Sequence, residues 1–322
     1  MILVSGGTGF VGRHLVDALR ARGETVRVLS RTASPAREWH DVDIARGDLA
    51  DLPSLVRALA DIDTVVHLAA RLPAPGDDPD RLFALNVQGT TALASAARAA
   101  GVARFLHVSS GGVYGDGATF APHRESDPPN PGNAYERSKL AGEQALRNAL
   151  AGSSVAHTIF RPAGIYGAGR PATAAFLEEV RRRRLWLHVS PHVIVHPTHV
   201  SDVVQGCLRA LDADDLRDAV INLAGERALP LQEFVALAAE ALAVGTRQMV
   251  LPAAVGVPMG RALSAAFGAV GRRAPDPVQR AARQCVNRSL DTSLARERLG
   301  FDPIPLAAGL RATVQALAGA RV

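Results

Sequence analysis

Three side chains in this sequence have the types and spacing of a proton-transfer device: Ser110, Tyr135 and Lys139. Tyr135 and Lys139 stand four residues apart, so on a helix they share one face, one turn from each other. Ser110 lies just past the apolar run at residues 104–108, which reads as a buried strand. A phenol with a pKa of about 10 is a poor base at neutral pH. A nearby ammonium favours the phenolate and lowers that value, so Lys139 is expected to tune Tyr135. Ser110 can hold a substrate oxygen toward the phenol. Tyr135 would then give a proton to a carbonyl oxygen, or take one from an alcohol, while hydride passes at the carbon.

The chain opens with Gly6-Gly7-Thr8-Gly9-Phe10-Val11-Gly12 between an apolar strand, Met1–Ser5, and a helical pattern, Gly12–Arg22. Both G-x-G-x-x-G and G-x-x-G-x-x-G are satisfied. In a first βα turn, such glycines let the backbone approach a pyrophosphate resting on the helix N-terminus. The second strand ends Val28-Leu29-Ser30-Arg31, without the carboxylate that would bond the ribose hydroxyl of NAD. Arg31 can instead pair with a 2′-phosphate, and Arg13 can assist. NADP is therefore expected, with NAD possible. Asp48, in Gly47-Asp48-Leu49, can accept from the adenine amino group, or equally cap the helix Leu52–Ala60. Leu68, Ala69 and Ala70 end a strand at the crevice with side chains small enough for close contact.

These groups need a scaffold, and the pattern supplies one. Strands are expected at Met1–Ser5, Thr25–Ser30, Thr64–Ala69, Phe105–Ser109, Val155–Arg161 and Ala219–Leu223, alternating with helices at Gly12–Arg22, Leu52–Ala60, Leu82–Ala100 and Ala134–Ala151. Near-continuous apolar strands between helices imply an α/β fold, a Rossmann-type doubly wound parallel sheet. Past Tyr166 the pattern weakens. Residues 1–165, with 200–225 returning, read as the dinucleotide-binding domain. Residues 166–199 and 226–322 read as a smaller, mostly helical substrate lobe, broken at Pro252, Pro258, Pro275 and Pro277.

Composition narrows the partners. The 322 residues are 48% hydrophobic and only 4% aromatic, so the core must be mostly Ala, Val and Leu. The net charge of +5 comes from scattered arginines, with one run, Arg181–Arg184. That run reads as a solvated helix end or as a contact to an anionic substrate, and no nucleic-acid partner is expected. Cys207 and Cys285 give no disulfide framework and fit a reduced, cytoplasmic setting. No signal peptide and no membrane span are expected.

Jointly, these motifs resemble the extended short-chain dehydrogenase/reductase superfamily, in its epimerase/dehydratase group. Further carriers are His67-Leu68-Ala69-Ala70, Asn86-Val87-Gln88-Gly89, Ser109-Ser110-Gly111-Gly112-Val113-Tyr114-Gly115, Tyr135-Glu136-Arg137-Ser138-Lys139, Arg161-Pro162-Ala163-Gly164-Ile165-Tyr166-Gly167, His199-Val200-Ser201-Asp202-Val203 and Leu299-Gly300-Phe301-Asp302-Pro303. The resemblance implies that Ser110, three residues before Val113, is the catalytic hydroxyl rather than Ser109. It makes Tyr135 the acid/base, and Lys139 both its tuner and a ribose ligand. Arg161 to Ile165 would line the nicotinamide. The cofactor set is then Gly6, Gly9, Phe10, Val11, Gly12, Arg31, Asp48, Leu49, Leu68, Ala69, Ala70, Lys139, Arg161 and Ile165. The resemblance also implies a homodimer through Leu82–Ala100 and Ala134–Ala151.

The substrate is a small molecule whose class is less legible. Nucleotide-sugar members usually carry an arginine shortly before the His-Val-x-Asp segment, where this chain has Val195. The long stretch from Asp202 to Asp291, with Leu251-Pro252 and the apolar pattern Val255–Val270, is more similar to hydroxysteroid-dehydrogenase-like and β-keto-acid reductase members, which take apolar ketones. Arg181–Arg184, Arg280 and Arg283 keep an anionic substrate open. His188, His192, His196 and His199 fit no common metal-ligand spacing, and no metal is expected. The leading expectation is an NADP-preferring oxidoreductase acting on a ketone or secondary alcohol. The alternatives are a nucleotide-sugar epimerase or dehydratase that recycles a bound cofactor, and a dinucleotide-sensing regulator without turnover. The last would have no use for Tyr135 and Lys139.

Overall fold

The computed structural model describes residues 1–32, 39, 41–73, 78–117, 120–188, 193–213, 215–272, 274, 278 and 286–319. The first half alternates β1 (Ile2–Ser5), α1 (Phe10–Ala21), β2 (Val26–Ser30), β3 (Asp43–Arg46), α2 (Leu52–Ala58) and β4 (Thr64–His67). There follow α3 (Pro79–Phe83), α4 (Thr90–Ala99), β5 (Arg104–Val108), α5 (Ala134–Leu150) and β6 (Ala156–Pro162). The chain then leaves through β7 (Ile165–Tyr166), α6 (Pro171–Arg182), β8 (Leu185–His188), β9 (Val193–Val195) and β10 (Thr198–His199). It returns with α7 (Val200–Asp212) and β11 (Ala219–Leu223). It closes with β12 (Leu229–Pro230), α8 (Leu231–Ala241), β13 (Arg247–Val250), α9 (Ala253–Ala269), β14 (Val286–Asn287) and the helices Ser293–Leu299 and Leu306–Gly319.

The main sheet has seven parallel strands in the order β3-β2-β1-β4-β5-β6-β11. The strand order reverses between β1 and β4, the place where open α/β sheets leave a crevice for a ligand. β1 and β4 are buried along their whole length because both faces are covered. One face packs Leu15, Val16 and Leu19 of α1 and Val204 and Cys207 of α7. The other packs Leu55 of α2, Leu93 and Ala97 of α4, and Leu146 and Leu150 of α5. A separate core in the second lobe joins Leu177 and Val180 of α6 to Val235 and Ala238 of α8 and to Leu306 and Leu310.

The helix starts follow capping chemistry. Asn133 accepts from the Glu136 amide at 2.9 Å to open α5. His199 and Asp202 form a reciprocal capping box on α7. Three details differ from the expectation. β3 has no apolar run: it is an edge strand held by its register with β2 and by the Arg27–Asp43 pair at 2.6 Å. The stretch expected as one helix, Leu82–Ala100, contains a π-helical turn, Ala84–Gly89, between α3 and α4. Pro258 lies inside α9 rather than breaking it, while Pro252 caps that helix. Pro275 and Pro277 lie outside the described residues.

Candidate active site

The glycine turn after β1 is built for close backbone approach. Gly6 sits at φ +75°, and a Cβ there would fall 2.6 Å from the Ala69 amide nitrogen. A Cβ on Gly12 would meet the Gly6 carbonyl oxygen at 2.1 Å. The turn thus seats α1 against the strand end and brings Leu68 and Ala69 beside Gly6. Gly9 is the N-cap of α1, and no side chain bonds the first-turn N–H groups. This is the cradle that a pyrophosphate requires, so the residues fit a dinucleotide. Phe10 and Val11 open the helix half-buried. The Phe10 ring lies beside Gly167 and Gly169. Arg13 folds back to donate to the Thr8 carbonyl at 3.0 Å.

Other members of the cofactor set are scattered along the same edge. Arg31 is exposed at the end of β2. Asp48 is not the cap of α2: Asp51 is, while Asp48 accepts from the Ala50 amide at 2.9 Å in its own turn. Leu49 is buried beneath it. Ala70 is half-buried past the end of β4. Ile165 begins β7 next to Gly164, around which there is open space.

The chemical group forms where β5 and α5 meet. Ser110 caps a 3-10 turn, Gly111–Tyr114, its hydroxyl accepting from the Gly112 amide at 3.1 Å. The same hydroxyl acts on the Tyr135 phenol, favouring its ionised form against burial. Ser109 has a different task, donating to Glu143 at 2.6 Å in the interior. Lys139, one turn along from Tyr135, is buried and donates from Nζ to the Val108 carbonyl at 2.9 Å. Burial pushes the ammonium down to about 8, against an opposing pull from Glu143.

Tyr135 itself departs from the expectation. Burial dominates and raises the phenol above its ordinary value. Arg170, at the start of α6, is the cation that opposes burial; Glu136 adds to the rise, and the Ser110 hydroxyl works against it. Desolvation of the phenol thus outweighs the charge of the Arg170 guanidinium. Sequence reasoning missed Arg170, since nothing in its spacing links α6 to α5. Its guanidinium also donates to the Ile165 carbonyl.

A buried polar network lies behind the group. Arg161 pairs with Glu143 at 2.6 Å and 3.0 Å and donates to the Tyr114 hydroxyl at 2.8 Å, which in turn donates to Asn222 at 3.0 Å. Burial pulls the guanidinium down, but the bonds to Glu143 win and hold it above its usual value. The Arg161 side chain is thereby committed to the interior rather than to the crevice. On the α5 side, His67 bonds Ser5 at 2.6 Å and Thr90 at 2.9 Å. The His107 ring packs 5.1 Å from it. Burial, then the Lys139 charge, brings His67 down to about 3 and His107 well below its ordinary value. Asn86, in the π-helical turn, donates to Ser138 at 2.9 Å, tying that turn to α5.

The histidines at 188, 196 and 199 do not converge. His188 bonds Gln248, His196 bonds the Gly225 carbonyl, and His199 caps α7. His192 lies outside the described residues, as do Arg280, Arg283 and Cys285. Among the described residues no three potential ligands could hold a metal ion. Cys207 is buried, which pushes its thiol up to about 12. Val195 lies on β9. Arg288, beside Ile194, is held by Asp116 at 2.5 Å and Glu136 at 3.1 Å.

A doubly wound parallel sheet, a glycine turn at its switch point and a Ser–Tyr–Lys group where β5 meets α5 define an extended short-chain dehydrogenase/reductase. Within that class the chain belongs to the NAD dependent epimerase/dehydratase family, whose model matches residues 2–224. It is 41% identical over 170 residues, 51% of each chain, to sterol demethylase protein B of Methylococcus capsulatus. It is 32% identical over 240 residues, 71% of each chain, to dTDP-6-deoxy-L-talose 4-dehydrogenase (NAD(P)(+)) of Kitasatospora kifunensis. The solved structure of MoeE5 in complex with UDP-glucuronic acid and NAD is 27% identical, with 99% of both chains covered and a TM-score of 0.77. The chain spans about half the length of the Methylococcus relative.

Proposed function

We propose that this protein is an NADP-preferring oxidoreductase that interconverts a ketone and a secondary alcohol, with Tyr135 as acid/base. The observation that carries the reading is the gathering of Ser110, at the end of β5, with Tyr135 and Lys139 of α5, at the same sheet edge as the glycine turn. A bound nicotinamide supplies or accepts the hydride. Ser110 orients the substrate oxygen, and Tyr135 transfers the proton to or from it. Because burial raises the phenol, it is held protonated near neutral pH, the form needed to donate during reduction. Lys139 would hold the ribose, with Gly6, Gly9, Gly12 and the first turn of α1 beneath the phosphates. Arg31 would read the 2′-phosphate: Arg31→Asp should shift preference from NADP toward NAD, and an unchanged preference would remove that role.

An apolar ketone is the substrate class favoured here. Val195 offers no cation to a pyrophosphate, and Arg288 is already occupied by two carboxylates. The sterol in the Methylococcus relative's name points the same way. The second reading, a nucleotide-sugar epimerase or dehydratase, draws on the sugar nucleotides named for MoeE5 and the Kitasatospora relative. One experiment separates them. Apolar ketones with NADPH should give loss of the reduced cofactor in step with alcohol formed. Isomerisation of a sugar nucleotide without net cofactor consumption would overturn the reductase. A homodimer through α4 and α5, which pack side by side, and a cytoplasmic setting belong to the same proposal.

A further inference from the structure

The redox site leaves unexplained a part of the second lobe where apolar side chains face outward. β8 and β13 form a separate two-stranded parallel ribbon, with Leu185 opposite Arg247 and Leu187 opposite Met249. Paired residues point to the same side of a ribbon. The inner side carries Trp186, which contacts Phe176 edge-on at 6.3 Å, and Phe176 in turn stacks on Phe234 at 5.2 Å. The outer side carries Leu185, Leu187 and Met249, exposed at 55%, 49% and 50%. Only Leu251 and Pro252 separate this ribbon from α9. That helix buries Gly256, Val257 and Gly260, while Val255, Met259 and Leu263 stand exposed at four-residue spacing on one face. Exposed apolar side chains gathered on one side of an element in this way mark an interaction surface.

Charge selects the occupant. The sequence carries no carboxylate at residues 180–201 or 241–275. The ribbon is instead flanked by Arg181, Arg182, Arg183, Arg184 and Arg247. Among the described residues Glu178 and Glu179 oppose them, pairing with Arg181, Arg182 and Arg183, while Glu233, beside β13, is matched by Arg227. Five positive charges against two carboxylates leave an excess of three. α9 adds Arg261. We propose that the outer face of β8–β13, continued by α9, docks on an anionic lipid bilayer. Apolar side chains would enter the headgroup boundary and arginines would meet lipid phosphates. No helix among the described residues is long and apolar enough to cross a membrane, so α9 lies on the surface rather than spanning. A second copy of the chain fits less well. A self-complementary contact would set two rims of net positive charge against each other.

The test is vesicle flotation with the full chain. Vesicles of phosphatidylcholine alone are compared with vesicles containing about one quarter phosphatidylglycerol. The chain should float with the anionic vesicles only, and salt at about 0.5 M should weaken this about tenfold or more. Leu187→Ser/Met249→Ser and Arg182→Gln/Arg184→Gln should each weaken it by a similar factor of about ten, with thermal melting unchanged. Absence of flotation with anionic vesicles would overturn the proposal, as would binding untouched by both double variants. So would self-association that Leu187→Ser/Met249→Ser abolishes in sedimentation equilibrium, since the face would then belong to a second copy.

Discussion

Around β5 and α5 the protein buries charge: Lys139, Glu143 and Arg161 are 3%, 1% and 4% exposed, with His67 and His107 at their side. Along β8, β13 and α9 it does the reverse and leaves leucines, valines and methionines in water. Both arrangements oppose folding, for opposite reasons. Buried charge loses hydration, and exposed apolar surface forgoes the hydrophobic gain. The first is offset internally, by the Arg161–Glu143 pair and by the Val108 carbonyl under Lys139. The second has no offset within the described residues, which is why it points outward. The difference teaches that function can be read from two kinds of anomaly. One is a polar group kept where it is least comfortable, and the other is an apolar group kept where it has nothing to touch.

Substitutions break that contrast in graded steps. The largest effect belongs to Glu143→Ala, which strands the Arg161 guanidinium in the interior and should destabilise by about 3–5 kcal/mol in urea unfolding. Next comes acid. His67 titrates near 6.5 when unfolded and about 3 when folded, so below 6.5 the unfolded chain binds the extra proton. Stability should therefore fall as pH drops from 6.5 toward 3, by about 1.4 kcal/mol per pH unit for each such group. His107 acts in the same direction, and His107→Leu should move the acid midpoint lower.

Lys139 makes the opposite point, a functional group that destabilises. Its folded pKa of about 8 lies below the ordinary 10.5, so its burial penalty is fully present below pH 8 and fades as pH rises toward 10.5. At pH 7 Lys139→Met should stabilise by about 2 kcal/mol, after losing the bond to Val108, while abolishing turnover. A higher melting temperature in an inactive variant is the expected readout. Arg170→Leu removes the cation opposing burial at Tyr135, so the basic limb of the pH–rate profile should move upward. At the small end, Leu187→Ser/Met249→Ser should change stability by less than about 0.5 kcal/mol, because these side chains touch little in the monomer.

Legibility in the sequence followed burial. β1, β4, β5, β6 and β11 lie inside a two-faced sheet, so their apolar runs announce them, and local chemistry marks the glycine turn and the helix ends. β3 has no apolar run because an edge strand needs none, and only its place ahead of Gly47-Asp48-Leu49 marked it. The π-helical turn was illegible because Asn86 and Gly142 meet only across two helices: a Cβ on Gly142 would lie 2.6 Å from the Asn86 carbonyl oxygen. At the site, spacing pointed to Tyr135 and Lys139, whose relation is local. The partnership of Arg170 with Tyr135, and that of Glu143 with Arg161, join residues from different elements. No spacing rule connects those pairs. The second lobe was hardest to read, since its three small sheets use strands of two to four residues.

The central claim is that Tyr135 moves the proton. Its most direct test is Tyr135→Phe, with kcat for ketone reduction and the dissociation constant for NADPH measured on one preparation. With Phe at this position kcat should fall about a hundredfold or more while cofactor affinity stays within about twofold. A variant that keeps its kcat would contradict it.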